Sequence, residues 1–174
     1  MLINDPLDYF GQCTLDESLI LRFCYRADRN ILDIVFKYAA DNVAQAFNLT
    51  LHGLPLPNAE QVQTDFRLLR FTEVRSLIIN GDMPAKDKDW SAYESVVIGK
   101  PRVFTGVIHG REDFGYVFSF HLTNLGYHRL LYSQLNVESR LAIAHPGDRG
   151  GWDYQDARTG ERVNCYNPFP AIDE

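Results

Sequence analysis

Bulky apolar side chains recur at every second position over much of this chain. Leu19, Leu21, Phe23 and Tyr25 alternate with Arg22, Cys24 and Arg26, the period that sends successive side chains to opposite faces of a strand. After the polar interruption Ala27-Asp28-Arg29-Asn30, Leu32, Ile34, Phe36 and Tyr38 alternate again. Residues 18–26 and 31–38 therefore read as a hairpin. Phe47, Leu49 and Leu51 mark a third strand over 46–52 that ends at Gly53, ahead of Pro55 and Pro57. Residues 66–79 read as a long strand or two. The spacing Phe71-x-x-Val74 breaks strict alternation there and predicts a bend near Thr72 and Glu73.

The second half repeats the pattern. Phe104, Gly106 and Ile108 share one face, and Tyr116, Phe118, Phe120 and Leu122 share another across a turn at Arg111–Gly115. Gly126 introduces the strand-like run Tyr127–Tyr132. Leu135, Val137, Leu141 and Ile143 suit a further strand, although 133–144 also fits a helix, as does 91–98 with its capping box Ser91-x-x-Glu94. The sum is a mainly β fold, an antiparallel sandwich or open barrel of about seven to nine strands with at most one or two short helices. Residues 1–174 form one β-rich domain on this reading, with 144–174 an extended C-terminal segment laid on it through Trp152, Tyr154, Tyr166 and Phe169.

Composition narrows the function. At 45% hydrophobic residues the chain closes one core, yet no uninterrupted apolar run approaches the ~18 residues of a membrane helix. Twenty-three acidic against seventeen basic residues leave a net charge of −6, which argues against neutralising nucleic-acid phosphates and for a basic protein partner. Asp5 and Asp8 stand where an export signal would carry Lys or Arg. Cys13, Cys24 and Cys165 form no close pair and read as reduced thiols. A cytoplasmic protein with no membrane contact is the expectation.

Few motifs carry chemistry. The pair Gly99-Lys100 precedes Pro101 where a phosphate loop needs a hydroxyl, and Glu94 occupies the first glycine position. Asp87-x-Asp89-x-Ser91 begins like a calcium loop, but Trp90 stands at the turn glycine. No cofactor and no metal are expected. The catalytic candidates are His109 and His121, predicted on the solvent face of two paired strands, with Asp113 beside them as an acidic neighbour. The binding candidates are Asp82, Asp87 and Asp89 in a self-solvating loop, and Trp152 and Tyr154 after Gly150-Gly151.

The paired strands at 18–38, the strand at 46–52 and Leu69-x-Phe71-x-x-Val74 leading into Leu77-Ile-Ile79 resemble, in pattern, small uncharacterised bacterial β-domains, including immunity proteins of polymorphic toxin systems. The resemblance covers about residues 15–80 and brings no catalytic residue with it. It implies an acidic cytosolic blocker of a toxin's active site. Two functions follow: a non-enzymatic binding protein for a basic partner, or a small-ligand β-barrel or hydrolytic enzyme built on His109 and His121. An exposed edge strand would also allow two copies to pair as a homodimer.

Overall fold

A computed structural model describes residues 1–38, 62–83, 103–122, 125–146 and 152–170. Among them lie eleven strands and one helix, in the order β1 (Leu2–Ile3), α1 (Pro6–Gln12), β2 (Leu19–Arg26), β3 (Ile31–Tyr38), β4 (Val62–Thr72), β5 (Ser76–Ile79), β6 (Phe104–Glu112), β7 (Gly115–Leu122), β8 (Gly126–Tyr132), β9 (Gln134–Pro146), β10 (Trp152–Asp156) and β11 (Arg162–Val163). All pairings between these strands are antiparallel. The predicted strand at 46–52, the ambiguous segment 91–98, and Asp87 and Asp89 lie outside the described residues.

One sheet runs β11-β10-β9-β4-β3-β2, with β1 also on β9, and the other runs β5-β8-β7-β6. They are two arms of one bent ribbon. Strand β4 pairs with β9 as far as Thr72 and Gln134, and pairing resumes between Ser76 of β5 and Leu131 of β8. The corner is turned at Glu73, whose φ of 54° is left-handed, and Arg75 N donates to Leu131 O at 2.9 Å across it. The bend expected near Thr72 and Glu73 is therefore present. At the opposite seam Leu19 bridges Val103, and Phe104 N donates to Ser18 O at 3.1 Å. The sheets curl into an open barrel, with more strands than the alternation alone predicts because β1, β10 and β11 are too short to show a period. Of residues 133–144, open to either reading in sequence, 134–144 are extended within β9.

The interior is aromatic. Phe23, Phe36, Phe71, Phe104, Phe118, Phe120 and Tyr132 are fully buried in one cluster. Helix α1 closes it, although the sequence reading placed no helix there. Asp5 accepts hydrogen bonds from Leu7 N at 2.9 Å and Asp8 N at 3.2 Å, and Pro6 opens the first turn, where its missing N–H costs nothing. The helix then lowers Tyr9 and Phe10 inward, and the Phe10 ring stacks on Phe118 at 4.8 Å.

On the outside of the larger sheet a second cluster joins Val35, Phe66, Leu68 and Ala142 to Val163 and Phe169 of the C-terminal segment. Arg140 pins that segment, donating to Asp156 Oδ2 and to Pro168 O, each at 2.8 Å. Strand β4 is thus buried on both faces. The three cysteines are free thiols.

Candidate functional site

The register of β6 on β7 separates the two candidate histidines. Thr105 pairs with His121, but the next pair is Ile108 with Ser119, so one extra residue sits on β6 between them. Gly106, at φ 58°, supplies the left-handed backbone such a bulge uses. Every side chain after it changes face. Ile108, expected inside, is 65% exposed, while His109 pairs with Phe118 and lies 5.7 Å from the Phe10 ring. His121 remains outside, exposed, 5.2 Å from the Tyr127 ring. The expectation that His109 and His121 share the solvent face is corrected: they occupy opposite faces of the ribbon. Asp113 is exposed in the turn that follows β6, and its neighbour Glu112 is paired with Arg129.

The other candidates are dispersed. Asp82 is exposed and closes the turn after β5 through backbone hydrogen bonds with Ile79 at 2.8 and 2.9 Å. Trp152 begins β10 opposite Pro146. Tyr154 packs on Phe66, ring centroids 5.6 Å apart, and its hydroxyl lies 3.5 Å from Lys37 Nζ, so it fastens the C-terminal segment to the sheet. Among the described residues no three His, Cys, Asp or Glu side chains gather as a metal site requires.

Two buried polar features stand outside the site candidates. The first is His128, fully buried with its ring stacked on Phe120 at 5.0 Å and its Nδ1 3.1 Å from Gly126 O. Burial lowers its pKa from 6.5 to about 4, against the Gly126 carbonyl, which raises it. The folded protein thus holds this imidazole neutral while the unfolded chain protonates it below pH 6.5. Stability should be unaffected by His128 above pH 6.5 and should fall by about 1.4 kcal/mol per unit as pH drops toward 4, about 3 kcal/mol in all. Urea midpoints at pH 7, 5.5 and 4.5 check this. His128→Phe should flatten that part of the profile, and an unchanged slope would assign the acid loss to other groups.

The second feature is a polar stripe inside the barrel. Odd-numbered residues of β4 face inward with Leu69 and Phe71, which puts Gln63, Asp65 and Arg67 in one row. Arg67 is 0% exposed. Its Nε donates to Asp65 Oδ2 at 2.9 Å, its Nη1 donates to Tyr9 Oη at 3.1 Å, and its guanidinium carbon lies 3.8 Å from the centre of the Tyr38 ring. Ser139 Oγ donates to Asp65 Oδ1 at 3.0 Å from the facing strand. Burial pushes the Tyr9 hydroxyl well above the ordinary tyrosine range, with Arg67 pulling it back, so it stays neutral and donates or accepts as needed. Burial works against the charge on Arg67, but Tyr9 and Asp65 outweigh it and the guanidinium remains charged.

This row is incompletely satisfied. Arg67 Nη2 and Gln63 Oε1 are buried with no hydrogen-bond partner among the described residues. Each such atom costs about 1–3 kcal/mol unless something fills its need. The stripe therefore offers an unmet donor and an unmet acceptor on one inner face. Comparison with protein-family models, with curated proteins and with solved structures found no match to this chain.

Proposed function

We propose that this chain is a non-enzymatic binding protein whose acidic N-terminal face meets a basic protein partner. One observation carries the reading. The first 21 residues contain no Lys or Arg, while Asp5, Asp8, Asp16 and Glu17 around α1 are all exposed. Glu17 is held at a left-handed φ of 68° in the tight turn before β2. A group of exposed carboxylates of this kind raises the rate at which an oppositely charged partner finds its site. The resemblance of residues 15–80 to immunity proteins suggests the type of partner, a basic toxin such as a nuclease. The separation of His109 from His121 across the sheet weighs against the catalytic alternative.

The test begins with a partner captured on the full chain at low salt, identified and purified. Association is then timed for wild type and for the variant carrying Asp8→Lys and Glu17→Lys. The variant should associate about tenfold more slowly and show a flatter salt dependence, with its dissociation rate little changed. Equal association rates would remove the N-terminal face from the interaction.

A further inference from the structure

Strand β4 carries two hydrogen-bonding atoms of opposite sense that are buried without a partner among the described residues, the acceptor Gln63 Oε1 and the donor Arg67 Nη2. We propose that this stripe binds a small uncharged amide, whose carbonyl accepts from Arg67 Nη2 and whose N–H donates to Gln63 Oε1. The charge balance selects that class. Arg67 is already neutralised by Asp65 at 2.9 Å, so an anion gains little from the guanidinium and is repelled by the carboxylate beside it. A carboxylate also has no N–H for Gln63. A cation meets the converse problem at Arg67. An uncharged amide supplies both missing groups without disturbing the ion pair, and a buried site that lacks its partner group discriminates strongly against analogues that cannot supply it.

The surroundings suit such a ligand. Tyr38, opposite Asp65 on β3, and Tyr9 from α1 place aromatic rings beside the row. Farther along the same face Leu69 and Phe71 belong to the filled aromatic core, which confines the site to the end of the barrel where β4 begins. Nothing in this inference depends on the acidic N-terminal face, and either proposal can fail alone.

The experiment is a titration of the full chain, followed by two-dimensional NMR and by thermal melting. The probes are two uncharged amides, acetamide and nicotinamide, each beside its matched acid, acetate and nicotinate. At least one amide should bind saturably, shift the side-chain signals of Gln63 and Arg67, and raise the melting temperature. Its acid should bind at least ~10-fold more weakly. Gln63→Leu, which keeps the bulk and removes the acceptor, should weaken amide binding at least ~10-fold while leaving the fold intact. The acid comparison needs no variant and reads the same preference if Gln63→Leu fails to fold. Failure of every amide to saturate in the millimolar range would overturn the proposal and leave water as the occupant. Equal binding of amide and acid, or undiminished binding to a folded Gln63→Leu, would overturn it too.

Discussion

Truncation of Phe118 to alanine is expected to destabilise the protein by about 3–5 kcal/mol, the cost of emptying a large aromatic site in a core that relaxes only in part. Phe118 is the hub of the interior. Its ring centroid lies 4.8 Å from Phe10, 5.1 Å from Phe120 and 5.4 Å from Phe71, so it joins α1 and β7 to the arm of the barrel that carries β4. Loss of the ring removes the floor on which Phe10 rests, and α1 should loosen before the strands do. Urea denaturation gives the total, and hydrogen exchange at Tyr9 and Cys13, whose amides close α1 onto Asp5 O and Tyr9 O, isolates the helix. A cost below about 1 kcal/mol would mean that α1 does not rest on Phe118 in solution. Phe118→Leu keeps most of the volume and should cost less than half as much.

Breaking the interior ion pair should cost about as much by a different route. Arg67→Met takes from the buried Asp65 carboxylate its ion-pair partner at 2.9 Å, and Asp65→Leu takes the same pair from the buried guanidinium. Each single change is expected to destabilise by about 3–5 kcal/mol, because a buried charge has lost its counter-charge. The double change removes both charges and should cost clearly less than the sum of the two, and less than either alone if the leucine and methionine pack. A double-mutant cycle in urea reads this directly. Additive losses would show that the two side chains do not depend on one another.

Much of the β architecture was legible because a strand buried on one face writes its orientation into alternate residues. The β2–β3 hairpin, the bend after Thr72 and the β6–β7 turn all follow from that rule. The rule fails where its physical basis fails. On β4 the even residues Phe66 and Leu68 lie under the C-terminal segment while the odd residues line the barrel. With both faces covered, polarity no longer reports direction, and nothing in the alternation marks Asp65 and Arg67 as buried. On β6 a single bulge reversed the face of His109. Gly106 inside a strand pattern was the available signal, since an isolated glycine there often marks such a bulge. Helix α1 has only 7 residues, too few for a helical period to emerge, and its trace in the sequence was the capping pair Asp5-Pro6.

The pairing of β9 has a consequence for how the chain is made. Its N-terminal half carries β1, its C-terminal half carries β10, and β4 runs along its other edge. Met1 donates to the Val137 carbonyl across 136 positions of sequence. A ribosome adding about 5–20 residues per second takes on the order of ten seconds to reach that carbonyl. Throughout that interval β2, β3 and β4 wait with an unpaired edge and no barrel to close, and assembly becomes possible only when β9 emerges. Until β9 is made, the open edge of β4 is exposed to neighbouring chains, the state in which an unpaired strand is most prone to aggregate.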